Sequence, residues 1–138
     1  MARHIAVYRR EDLAYVTTPP APDVNSPEYD QWEAQGNALC QYENPLGSEA
    51  AVREFWSEPA TSLGLPLLAS IYDEGFYNGV GWSGPELDRL AEELEVLEGY
   101  WKNMSFTETD RSDLAERMSF MRTAIQVAKQ RDGVLTIA

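Results

Sequence analysis

Two apolar stripes constrain this chain more than anything else in it. Leu87, Leu90, Leu94, Leu97 and Trp101 recur at steps of three and four residues, and Leu114, Met118, Met121, Ile125 and Ala128 repeat the rhythm. That spacing places each set on one side of an α-helix, with polar residues around the rest. The pattern predicts two long helices, about 84–101 and 110–131, joined so briefly that they lie as antiparallel neighbours. Ser83-Gly84-Pro85-Glu86 has the form of a capping box, a hydroxyl followed three residues later by Glu. Lys129 and Arg131 suit the negative end of the second helix, and Gly133 is placed to stop it. Neither stripe can be buried by one helix alone, so a further layer is required.

The remaining segments supply it. Ile5 to Arg9 reads as a short strand, Val134 to Ile137 as the last one. Thr17-Thr18-Pro19-Pro20-Ala21-Pro22 excludes helix and central strand and predicts an extended surface segment. Ser26-Pro27-Glu28 starts a helix running to about Cys40, with Tyr29, Trp32 and Leu39 expected inward. Asn44-Pro45-Leu46-Gly47 is expected to break the chain. Ser48 then caps a short helix from Glu49 to Ser57 that buries Val52, Phe55 and Trp56 ahead of Pro59. Leu67, Leu68, Ile71 and Tyr72 fit either a buried helical turn or a strand. The turn residues Asp73-Glu74-Gly75 and Asn78-Gly79 favour a hairpin with strands near 67–72 and 76–82. The expected fold is α+β: a small, mostly antiparallel sheet packed against a helical layer that contains the long helix pair. Length points to a single domain over residues 1–138.

Composition narrows the function classes. An apolar fraction of 43% excludes a disordered chain despite a net charge of −12. That charge repels nucleic acid and anionic membrane and attracts basic partners at long range. One cysteine, Cys40, excludes an intrachain disulfide. The first residues lack the apolar run of a signal peptide and no stretch is apolar enough to span a bilayer, so a cytoplasmic location is expected. Four Trp, seven Tyr and four Phe exceed what one small core needs, so some aromatic area is expected at the surface.

Gly79-Val80-Gly81-Trp82-Ser83-Gly84 spells G-x-G-x-x-G, but a helix, not a parallel strand, follows the helix it opens. Glu86 and Asp88 also occupy the turn where a pyrophosphate would sit. Tight turns explain these glycines better. The single histidine, His4, has no local tie to Cys40 or to a serine, so nucleophilic catalysis has no supporting pattern, and Cys40 reads as a small buried apolar residue. One Cys and one His are too few for zinc. Asp73 and Glu74, beside Phe76, Tyr77 and Trp82, allow a carboxylate-lined cleft, although a turn is the simpler reading. No catalytic residue, metal ligand or cofactor is expected.

The acidic helix carries the functional expectation. From Glu86 to Glu98 it holds six carboxylates and one cation, Arg89. Asp88, Glu92 and Glu95 stack on one face at i, i+4 and i+7. Like charges so spaced disfavour the helix by a few tenths of a kcal/mol per pair, and Glu95 and Glu98 oppose its dipole. A partner bearing Lys and Arg would account for the pattern. So would a merely solvated face, or neutralisation by Arg111, Arg117 and Arg122 of the next helix. In general character the chain resembles bacterial immunity proteins and nucleic-acid mimics. That resemblance implies a non-enzymatic inhibitor occluding a basic partner, such as a toxin or nuclease domain. The expected contact residues are Asp88, Glu92, Glu95, Asp73, Glu74, Tyr77 and Trp82. The alternatives are a structural or regulatory adaptor, conceivably a homodimer, and a carboxylate-based enzyme or small-ligand binder.

Overall fold

In a computed structural model, the described residues are 2–12, 22–74 and 81–137. The fold is α+β. Strand β1 (Ala2–Arg9) is the middle strand of an antiparallel sheet, between β2 (Cys40–Ser48) and β3 (Gly133–Ile137). Val7 lies opposite Tyr42 on one side and Leu135 on the other, and Ile5 opposite Asn44 and Ile137. Ile5, Val7, Leu135 and Ile137 are buried in the main core.

Asn44-Pro45-Leu46-Gly47 does not break the chain, contrary to the sequence expectation; it is the second half of β2. β2 is an outer strand of the sheet, where proline is tolerated because its missing N–H can face away from the ladder. The register shifts between Arg3 and His4 where β2 passes Leu46, a bulge that absorbs the irregularity. Leu46 is buried there.

Helix α1 (Pro27–Leu39) begins at Ser26 as expected, though the Ser26 hydroxyl donates to the Asp23 carbonyl rather than capping. Tyr29, Trp32 and Leu39 are only half-buried, and no residue of α1 is fully buried. The Tyr29 and Trp32 rings meet each other at a tilt of 40° instead, 5.7 Å between centroids.

Ser48 caps α2 by accepting from Ala51 N–H at 3.1 Å. This helix does not end before Pro59: Glu49–Ala51, a π-helical stretch Val52–Ser57 and Glu58–Leu63 run on without a break. Pro59 lacks the N–H that would bond the Phe55 carbonyl four residues back. The Trp101 indole N–H takes that carbonyl instead, at 2.8 Å. Gly64, at φ +73°, then ends the helix in the left-handed conformation.

The expected hairpin is replaced by a helix. Pro66–Glu74 forms α3, and the partner that decides this comes from far along the chain. Glu93 accepts from the backbone N–H groups of Leu67 and Leu68, at 3.3 and 2.9 Å, and so caps the first turn of α3. Leu65 has no side-chain acceptor with which to do this itself.

Helices α4 (Pro85–Lys102) and α5 (Glu108–Gln130) match the two stripes. Asp88 pairs with Lys129 and Glu98 with Arg122, so the early part of one helix meets the late part of the other: they run antiparallel. Leu87, Leu90, Leu94, Leu97 and Trp101 are buried, as are Leu114, Met118, Met121, Ile125 and Ala128. The start of α4 departs from the expected capping box. Gly84 is the N-cap, and Ser83 contributes its carbonyl to Glu86 N–H, not its hydroxyl. At the end of α5, Asp132 takes the positive φ of 48°. Gly133 is needed for closeness, not for the turn: a Cβ there would stand 2.8 Å from the Tyr8 carbonyl oxygen. α5 lies over the sheet, where Tyr42 donates its hydroxyl to the Phe120 carbonyl at 3.1 Å.

Candidate functional site

The acidic row of α4 is internally satisfied over half its length. Asp88 is paired with Lys129, which lies 41 residues away in sequence. Glu98 is paired with Arg122 at 3.2 Å. Glu93 is 8% exposed and committed to α3. Three of the six carboxylates thus serve the fold, and of the three α4 acids expected at a partner contact, Asp88, Glu92 and Glu95, Asp88 is the one with an internal partner. One of the three arginines named as internal neutralisers, Arg122, does this for Glu98. Arg117 pairs with Glu116, and Arg111 donates to the Met104 carbonyl.

Glu92 and Glu95 differ. Both are exposed, and among the described residues neither has an ion-pair or hydrogen-bond partner. Directly after Glu95 in the chain, and one turn beyond Glu92, stands Val96, a large apolar side chain that is 48% exposed. The other exposed large apolar side chains among the described residues are Val24 and Leu63. Val96, Glu92 and Arg89 line an open depression of about 320 Å³ whose opposite wall is Gly64, Leu65 and Pro66. Gly64 and the exposed Pro66 bring the α2–α3 corner against the polar side of α4, and the Glu93 cap holds it there. The result is a shallow, partly apolar depression with Glu92 and Arg89 at its rim and Glu95 just outside it.

The other expected contact residues are not assembled with this face. Trp82 is 3% exposed and belongs to the core, so its ring is withdrawn from any partner. Its backbone is bonded reciprocally to Leu135, 2.9 Å each way, which extends the sheet beside β3. Gly81 makes this approach possible, because a Cβ there would lie 2.5 Å from the Val134 Cγ1. The G-x-G-x-x-G segment thus owes one of its glycines to packing against β3. Asp73 and Glu74 close helix α3 rather than a hairpin turn. Tyr77 lies outside the described residues, as do Phe76 and most of the expected second hairpin strand.

Cys40 and His4 are linked through one carboxylate. The His4 Nδ1 is 3.3 Å from Glu43 Oε1, and the Cys40 thiol is 4.0 Å from Glu43 Oε2 while donating to the Tyr42 carbonyl at 3.1 Å. A nucleophilic thiol needs the imidazole beside it as base; here the carboxylate stands between them. Burial pushes the Cys40 thiol above its usual range, which favours the unreactive protonated form. Cys40 is half-buried rather than buried. Among the described residues no cluster of His, Cys, Asp and Glu is arranged to hold a metal ion. No helix among them is long and apolar enough to cross a membrane.

Fold and site together define an α+β protein with an exposed valine and two exposed acids beside a shallow depression on α4. No family model, curated protein or solved structure matches the chain.

Proposed function

We propose that this protein is a non-enzymatic, cytoplasmic binding protein that docks a basic protein partner on the face formed by Glu92, Glu95 and Val96, and neutralises that partner by covering its surface. A toxin or nuclease domain with a cationic active site is the kind of partner that fits. The observation that carries the reading is an exposed valine close to two exposed carboxylates of α4, Glu92 one turn before it and Glu95 beside it in the chain, that have no partner among the described residues. An apolar anchor surrounded by charge is how interfaces divide their work: the buried centre supplies affinity, the charged rim supplies steering and selectivity. The net charge of −12 adds long-range attraction. Exposed large apolar side chains are few among the described residues, which favours a charge-steered complex over the broad apolar face of an obligate homodimer.

Site-specific crosslinking tests it. A photoreactive phenylalanine analogue at position 96 should capture one basic protein in cells that naturally express the chain, and the same probe at the exposed position 119 of α5 should not. The combined substitution Glu92→Lys and Glu95→Lys should abolish capture without altering the circular dichroism spectrum. Undiminished capture by that variant would reject the reading.

A further inference from the structure

A second feature, separate from the Glu92–Val96 face, lies where the end of α4 meets the start of α5. Trp101, Phe106, Leu114 and Met118 line a half-open cavity of about 160 Å³, with Lys102 and Arg111 also in its lining. Its walls are fixed before any ligand arrives. The Trp101 indole is tied to the Phe55 carbonyl and meets the Trp56 ring edge-on, 4.8 Å between centroids. Phe106 meets Phe55 edge-on at 5.4 Å.

The pairing of two cations in one cavity is the unusual part. Acids outnumber bases 23 to 11 in this chain, so a cation has many carboxylates to choose from. Seven of the eleven basic side chains are ion-paired among the described residues. Of the other four, Arg131 donates to Gln41 and Arg89 lines the depression beside Val96, whereas Lys102 and Arg111 line the same aromatic-walled cavity. Arg111 gives one N–H to the Met104 carbonyl and faces the Phe106 ring with its guanidinium carbon 5.8 Å from the centroid. Its other donors are left for an oxyanion. Glu98 also lines the cavity, but its charge is matched by Arg122.

We infer that this cavity binds a small aryl carboxylate, with the ring seated between Trp101, Phe106 and Met118 and the carboxylate held by Lys102 and Arg111. The volume suits one ring, since a cavity of roughly 150 Å³ with apolar walls accommodates benzene. Planar guanidinium and carboxylate groups pair in two-pronged fashion, which adds orientation to charge.

The test uses the whole protein and phenylacetate, followed by amide and indole N–H shifts in ¹H–¹⁵N spectra. Saturable shifts centred on Trp101, Phe106 and Leu114 are expected, with a Kd on the order of 1 mM or tighter for so small a ligand. Benzyl alcohol, which keeps the ring and lacks the charge, should bind at least about tenfold more weakly, and Lys102→Gln should weaken phenylacetate by about tenfold. Ala115→Leu, which fills the cavity from its rim, should abolish binding. Absence of saturation up to about 20 mM, equal binding of benzyl alcohol, or shifts centred elsewhere would each overturn the inference. A pentapeptide ending in Phe, compared with its C-terminal amide, assigns the source. Tighter binding of the free-acid peptide than of phenylacetate points to a protein C-terminus, and weaker binding points to a free small acid.

Discussion

Replacing Glu93 with alanine should be the most destabilising single change on the polar side of α4. The wild-type carboxylate is nearly buried and receives two backbone N–H groups, from Leu67 at 3.3 Å and Leu68 at 2.9 Å. The shorter bond has good geometry and a charged acceptor, a class that contributes about 1.5–3 kcal/mol; the longer contributes less, about 0.5–1 kcal/mol. A carboxylate facing a helix N-terminus adds about 0.3–1 kcal/mol. Without a side chain at 93, water admitted through the neighbouring depression recovers part of this, which leaves a loss of about 2–4 kcal/mol. For a chain of this size that corresponds to a fall in Tm of roughly 6–14 °C. Urea unfolding followed by tryptophan fluorescence measures it directly. Glu93→Gln, which keeps an acceptor oxygen but not the charge, should fall between wild type and Glu93→Ala. Glu92→Ala and Glu95→Ala, one residue before and two after, should stay within about 0.5 kcal/mol of wild type. A Glu93→Ala variant as stable as Glu92→Ala would refute the capping role and, with it, the reason α3 is a helix.

Two further outcomes are expected. Gly133→Ala places a Cβ about as close to the Tyr8 backbone oxygen as 2.8 Å and must push β3 from β1, so it should lower stability by about 1–3 kcal/mol in the same assay. The Tyr8 phenol is pushed up to about 12, first by burial and then by Cys40 and Glu43. Because the folded value lies above the unfolded one, the stability tied to the neutral phenol is complete below pH 10 and is lost as pH rises through about 12. Absorbance titration at alkaline pH should show one late-titrating tyrosine that disappears in Tyr8→Phe.

The α4–α5 pair was legible because its signal is local and repeated: five apolar residues at helical steps leave one solution. The first and last strands, β1 and β3, were legible for the same reason, their apolar runs being short and bounded, whereas β2 was not. α3 was not, since Leu67, Leu68, Ile71 and Tyr72 satisfy both periods and the deciding partner, Glu93, is 26 residues away from Leu67. Pro45 misled because a proline breaks a central strand but not an outer one, and strand order is not written locally. At the candidate site the acids themselves were visible, but their partners were not. Nothing in the spacing distinguishes Asp88, neutralised by Lys129, from Glu92, which has no such neighbour among the described residues. Trp82 was misplaced because its burial depends on Gly81 letting the backbone close against Val134 and Leu135. An exposed valine such as Val96 gives no signal in sequence, since its exposure follows from which side of α4 the α2–α3 corner covers.

The docking face is tested most directly by the association rate of the protein captured at position 96, measured by stopped flow at several salt concentrations. With wild type the rate should fall steeply as salt rises, by tenfold or more between about 10 mM and 500 mM. The Glu92→Lys, Glu95→Lys double variant should associate at least about tenfold more slowly at low salt and show a much flatter dependence. Equal rates and equal salt slopes for the two proteins would contradict the assignment of that face.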